Sequence, residues 1–143
     1  MGERQIIAFR LGQEEYAINI HDVKEIIRPT AVTRVPRTQE YIKGVLNLRG
    51  VVVPVLNLHK RLGKSEENIS SQSRFIILNK GDIIIGITVD NVTEVIRLRE
   101  EDIEVPEFTD EVDGEFIEGV GKYQDRLLLL LDIEKTLGME KVK

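Results

Sequence analysis

Few side chains in this 143-residue sequence are equipped for covalent chemistry. There is no cysteine, which excludes a thiolate nucleophile, a disulfide framework and a cysteine-ligated metal. The two histidines, His21 and His59, lie far apart with no nucleophile suggested beside either. Surface or capping roles suit both better than general-base catalysis. Gly63-Lys64-Ser65 ends like a phosphate-binding loop, but Leu58 stands where that loop needs its first glycine. Asp110-Glu111-Val112-Asp113-Gly114 resembles a calcium loop around its glycine, yet Thr109 and Val120 occupy the first and twelfth ligand positions. No G-x-S-x-G elbow occurs. Paired carboxylates gather in an acidic stretch and at strand ends, where a solvated face is the better reading than an acid–base pair. The expectation is a protein that is not an enzyme and needs neither cofactor nor metal.

Charge narrows the partners. The chain carries 20 Lys/Arg and 25 Asp/Glu, for a net charge of -5. Residues 1–70 sum to +3 and residues 71–143 to -8, and ten carboxylates fall between Glu100 and Glu118 without one Lys or Arg. Nucleic-acid binding requires the opposite bias, clustered cations that displace counterions from phosphates. The sequence lacks both the apolar stretch of a secretory leader and a run of ~18–20 apolar residues able to span a bilayer. A cytoplasmic protein without membrane insertion is expected, so Asn68-Ile69-Ser70 and Asn91-Val92-Thr93 read as chance glycosylation triplets.

The elements that must position any site are strands. Gln5 to Leu11 and Tyr16 to Ile20 alternate with period two around Gly12-Gln13-Glu14-Glu15, which predicts a hairpin. Gly44 to Arg49 and Val51 to Leu58 predict two more strands meeting at Gly50. Pro54 cannot donate to a ladder and asks for an edge or a bulge there. Leu58 to Leu62 suits one helical turn closed by Gly63. After the polar segment Lys64 to Ser73, Arg74 to Asn79 and Ile83 to Val89 predict a hairpin about Lys80-Gly81-Asp82.

The second half repeats the first. A shift of 69 places Gly12 on Gly81, Ile18 on Ile87, and Val23-Lys24-Glu25-Ile26-Ile27-Arg28 on Val92-Thr93-Glu94-Val95-Ile96-Arg97. A shift of 75 places Ile42-Lys43-Gly44-Val45 on Ile117-Glu118-Gly119-Val120, and Val51 to Gly63 on Arg126 to Gly138. About five strands fit in each half, and a small closed barrel is how so few strands avoid bare edges. The predicted fold is all-β with short helices: two similar five-stranded barrels sharing a hydrophobic core within one domain, residues 1–143. The approximate subdomains are 15–70 and 71–143, with a strand at 4–12 exchanged between barrels. A cleft between barrels would be the natural binding site.

One motif is not repeated. Asn47-Leu48-Arg49-Gly50 faces Lys122-Tyr123-Gln124-Asp125 at the shift of 75. Two readings of Arg49 stand open, a structural salt bridge or a guanidinium held out to a partner's carboxylate or backbone. Read from Ile42-Lys43-Gly44-Val45-Leu46-Asn47-Leu48-Arg49-Gly50 through Val51-Val52-Val53-Pro54-Val55-Leu56-Asn57-Leu58, the sequence resembles the CheW family of bacterial chemotaxis coupling proteins. Phe9 to Tyr16, Val23 to Ile26, Val89 to Val92 and Asp132 to Lys135 carry the resemblance along nearly the whole chain.

That resemblance implies two SH3-like barrels and an adaptor of receptor arrays. It implies two partners, the cytoplasmic tip of methyl-accepting chemoreceptors and the CheW-like regulatory domain of the CheA histidine kinase. The cytoplasmic protein would be recruited to membrane-associated arrays. The receptor-binding groove would involve Val23, Glu25, Lys43, Gly44 and Arg49 on the first barrel and Gly86 and Val92 on the second. Valines would give a helix its apolar strip, glycines would allow close approach, and Glu25 with Arg49 would set orientation. Each valine is equally readable as core. Val51, Val52 and Val53 would contribute to the kinase contact, and Phe108, in Pro106-Glu107-Phe108, to a second contact in the array. The alternatives are a CheW-like domain serving another sensory kinase, or a small ligand-binding β-barrel using the groove.

Overall fold

The computed structural model describes residues 2–64, 69–105 and 116–138. Its strands are β1 (Glu3–Leu11), β2 (Glu14–Asn19), β3 (Val23–Ile27), β4 (Ile42–Leu48), β5 (Val51–Leu56), β6 (Arg74–Lys80), β7 (Ile83–Val89), β8 (Asn91–Arg99), β9 (Ile103–Glu104), β10 (Ile117–Tyr123) and β11 (Arg126–Leu131). Two short helices, α1 (Leu58–Arg61) and α2 (Ile133–Leu137), follow β5 and β11. The strands form two sheets, ordered β8-β1-β2-β11-β10-β9 and β3-β6-β7-β5-β4. The chain divides accordingly into a split unit, Met1–Ile20 with Thr93–Lys143, and a continuous unit, His21–Val92.

Turn chemistry explains the hairpins. Gly12 and Gly81, equivalent in the repeat, open the two-residue turns after β1 and β6 with φ of 61° and 62°, which glycine adopts without steric cost. The β4–β5 turn holds Arg49 and Gly50 at positive φ, and the β10–β11 turn holds Gln124 and Asp125 likewise, the pattern of type I′. The helices also repeat. Asn57 and Asp132 cap them by accepting from the backbone N–H of Lys60 and Lys135, and Gly63 and Gly138 end them in the left-handed region.

In each unit the sheet rolls around its own core. Leu46, Val53, Val55, Phe75 and Ile77, flanked by Ile27, Leu48 and Ile84, draw side chains from all five strands of the continuous unit. In the split unit Ile6, Ala8, Ala17, Ile96, Leu98, Leu128 and Leu130, with Ile103 and Tyr123, draw on all six. A Cβ on Gly121 of β10 would lie 2.5 Å from Leu98 Cδ2 of β8, so strands far apart in the pairing order meet across the interior. These are small SH3-like barrels, the split one carrying the two-residue β9 as a sixth strand.

The units do not follow the sequence halves. A boundary near residue 70 would leave β6 and β7 with the second half, but β6 pairs antiparallel with β3 (Ile76 with Ile26) and β7 parallel with β5 (Gly86 with Val55). In the split unit β2 pairs parallel with β11 (Ala17 with Leu130). Under the shifts of 69 and 75, Ala17 falls on Gly86 and Leu130 on Val55, so the two parallel pairings are one contact made twice. Each repeat therefore gives its leading hairpin to the unit built from the other repeat's later strands. The exchange expected for one strand at 4–12 involves whole hairpins and is reciprocal.

Pro54 lies on β5, an interior strand and not an edge. It is tolerated because its partner Val45 directs both backbone groups the other way, exchanging 2.8 Å hydrogen bonds with Thr33. The strand irregularity falls on β4, between Ile42 and Gly44.

Candidate functional site

Every described residue of the expected binding surface lies in the continuous unit. Gly86, assigned by sequence to a second barrel, belongs with Val23, Glu25, Lys43, Gly44 and Arg49, because β7 pairs with β5; Val92, likewise assigned, is the last residue of the same unit, at the start of β8. The arrangement begins with the turn. Asn47 Oδ1 accepts the Gly50 N–H at 2.7 Å, fixing the I′ geometry and presenting Arg49 at its tip. Holding an arginine at φ 51° costs about 1 kcal/mol, since its Cβ crowds the following carbonyl. From there Arg49 Nη2 donates to Glu25 Oε2 on β3, tying together β3 and the turn after β4, the two ends of the pairing order.

The ion pair answers one of the two readings of Arg49 and leaves room for the other. Its side chain is 67% exposed, and Glu25 takes only one of its N–H groups. Glu25 is half-buried, beside a register shift between Val23 and Glu25. Val23, Lys43 and Val92 are also half-buried.

Other candidates separate by burial. Val51 and Val52 are exposed, at 49% and 66%, whereas Val53 has no exposed surface and belongs to the core, facing inward with Val55. Val53 cannot touch a partner. The two glycines make room for the chain itself: a Cβ on Gly44 would lie 2.3 Å from Thr33 O, and one on Gly86 would lie 3.2 Å from Ile77 Cδ1. Phe108 lies outside the described residues.

The split unit holds a related pair that sequence reasoning missed. Glu94, the repeat equivalent of Glu25, accepts from Arg126 Nη1 at 2.7 Å. Arg126 also forks onto Glu15 through Nε and Nη2, at 3.1 and 2.7 Å, and Thr93 Oγ1 donates to Glu15 at 2.8 Å. Burial pushes the Glu15 carboxyl up, but hydrogen bonds from Arg126 and Thr93 outweigh it and hold the group below its ordinary 4.5. The same bonds, from Glu15 first and then Glu94, raise Arg126 above its usual range. All its nitrogens are engaged and it is only 29% exposed. Both units thus clasp an equivalent glutamate with an arginine near the hairpin turn, Arg49 on the turn in one and Arg126 just after it in the other. The match of Glu25 to Glu94 was the available signal.

His59 departs from its expected surface place. It is buried, its Nε2 lies 2.9 Å from Asp90 Oδ1, and its Nδ1 has no partner. His21 is exposed. Several acids of the stretch from Glu100 to Glu118 are paired and not merely solvated: Arg4 bonds Glu100 and Glu118 at 2.9 and 3.2 Å, Arg99 bonds Asp102 at 3.3 Å, and Lys122 bonds Glu104. Among the described residues no three His, Asp or Glu side chains gather as metal ligands, and no helix is long and apolar enough to cross a membrane.

Residues 5–141 match the profile of a family described as CheW-like domain. The chain is 41% identical to the chemotaxis protein CheW of Bacillus subtilis over 140 residues, covering 97% of this chain and 89% of that protein. It is 39% identical to that of Klebsiella aerogenes over 140 residues, covering 97% and 84%. The crystal structure of the scaffolding protein TtCheW from Thermoanaerobacter tengcongensis superposes with a TM-score of 0.85 at 35% identity, covering 93% of this chain and 86% of that one.

Proposed function

The chain belongs to the CheW-like family and serves chemotaxis as a scaffold, and we propose that it works by holding a chemoreceptor's cytoplasmic tip and the CheA histidine kinase in one fixed geometry, without catalysing a reaction. One observation carries this reading: Arg49 is displayed on a strained turn, tethered by a single carboxylate, with donors to spare and Val51 and Val52 exposed after it. Its counterpart Arg126 is consumed by two internal glutamates. Asp125 shares the strain in the equivalent turn, so what sets Arg49 apart is an exposed guanidinium held by one carboxylate.

Receptor binding is assigned to Val23, Glu25, Lys43, Arg49 and Val92, with Gly44 and Gly86 keeping the sheet close-packed beneath them. A helix would meet an apolar strip flanked by charges that fix its direction. Val51 and Val52, with Phe108 on the family resemblance alone, are assigned to the kinase side. The cytoplasmic scaffold would be drawn to membrane-bound arrays by its receptor contact. The test is co-sedimentation with a receptor cytoplasmic fragment and CheA. Wild type should bind both, and Arg49→Ala should lose receptor binding about ten-fold or more while remaining folded. If wild type binds neither, the scaffold reading fails; if the variant binds the receptor as well as wild type, the assignment of Arg49 fails.

A further inference from the structure

We propose that the loop between β3 and β4 forms an anion site for a small phosphate- or carboxylate-bearing polyanion. Residues 34–40 of that loop, Ile42 at the start of β4 and Lys60 of α1 line a cavity of about 170 Å³, room for a phosphoryl or tricarboxylate group. Three cations reach it, Arg34, Arg37 and Lys60, against one carboxylate, Glu40. None of the three cationic side chains has a hydrogen-bond or ion-pair partner among the described residues. Elsewhere the arginines Arg4, Arg99 and Arg126 are closely paired. Three cations held around one concavity repel one another, and an anion in that concavity relieves the repulsion while accepting their hydrogen bonds.

The backbone supports the same assignment. Pro36 and Arg37 occupy a turn in which Arg37 has φ 65°, the place where glycine or asparagine is favoured after proline. Thr38 Oγ1 donates to Val35 O at 3.2 Å, holding the turn closed. An arginine there is strained, and Gly would serve the turn better. The wider field favours anions as well, since His21–Val92 carries 11 Lys/Arg against 7 Asp/Glu, while the rest of the chain carries 9 against 18.

The test titrates full-length protein with inorganic phosphate, pyrophosphate and citrate at constant ionic strength, following backbone amide shifts by NMR. Saturable shifts confined to residues 34–42 and 60 are expected for at least one probe. Whichever saturates at lower concentration identifies the preferred chemistry. Arg34→Gln and Lys60→Gln should each weaken binding about five- to ten-fold. Arg37→Gly should weaken it similarly while leaving the thermal midpoint unchanged or higher, because it relieves the turn. Shifts that fail to saturate, spread over the surface, or survive Arg34→Gln with Arg37→Gly unaltered would overturn the site.

Discussion

Arg49 and Arg126 grip equivalent glutamates, yet substitution should expose opposite roles. An exposed ion pair contributes ~0–1 kcal/mol, so Arg49→Ala should leave the unfolding free energy almost unchanged and act on binding. Arg126→Ala strands Glu15, a carboxylate with 7% of its surface exposed, and should cost ~3 kcal/mol in chemical denaturation at pH 7. The pH dependence follows from the sign of the Glu15 shift. In wild type the folded carboxyl titrates below the unfolded one, so its stabilisation is complete above about pH 4.5 and is lost as pH falls through the lowered value. Without Arg126 only the Thr93 hydrogen bond and the Arg10 charge oppose burial, so the folded value moves up and acid costs the variant less. The stability gap between the two proteins should be widest near neutrality and shrink below pH 4.5; a gap independent of pH would contradict the assignment.

At the scale of elements, the hairpin turns and one crowded strand decide where substitutions are tolerated. Gln124 and Asp125 both take positive φ without a glycine between them. Asp125→Gly should therefore raise stability by about 1 kcal/mol, read as a higher denaturation midpoint. Gly44→Ala should do the reverse. Its φ of 152° excludes a side chain, and the Thr33 carbonyl already occupies the space a Cβ would take, so a loss of ~3 kcal/mol or more is expected. These features were largely legible in advance. Gly12, Gly50, Gly63 and Gly81 are punctuation whose conformational reason is local, and the strands between them alternate cleanly. The motif shared by Val23–Arg28 and Val92–Arg97 was visible as a repeat but carried no element assignment. Both copies are strands, β3 and β8, held at the rims of their barrels by the arginine clasps.

For the whole molecule, the repeat and the folding unit are different things. Fragments 1–70 and 71–143 each contain one complete repeat, yet neither contains both halves of either barrel. Each should be largely unfolded alone by circular dichroism and amide dispersion, and mixing them should restore the native spectrum. Independent folding of either fragment would contradict the reciprocal exchange of hairpins. The chain alone specified what local conformation and pattern encode: hairpins, turns, helix caps, the duplicated plan and the family it belongs to. It could not specify which copy of an equivalent strand each hairpin joins. Ala17 and Gly86, or Leu130 and Val55, offer nearly the same edge, and period-two patterning is satisfied by either choice. That choice, together with the burial of Val53, Glu15 and His59, was settled only by side chains packing together from distant parts of the sequence. Pairing across such distances depends on summed burial around each core, which no local segment contains.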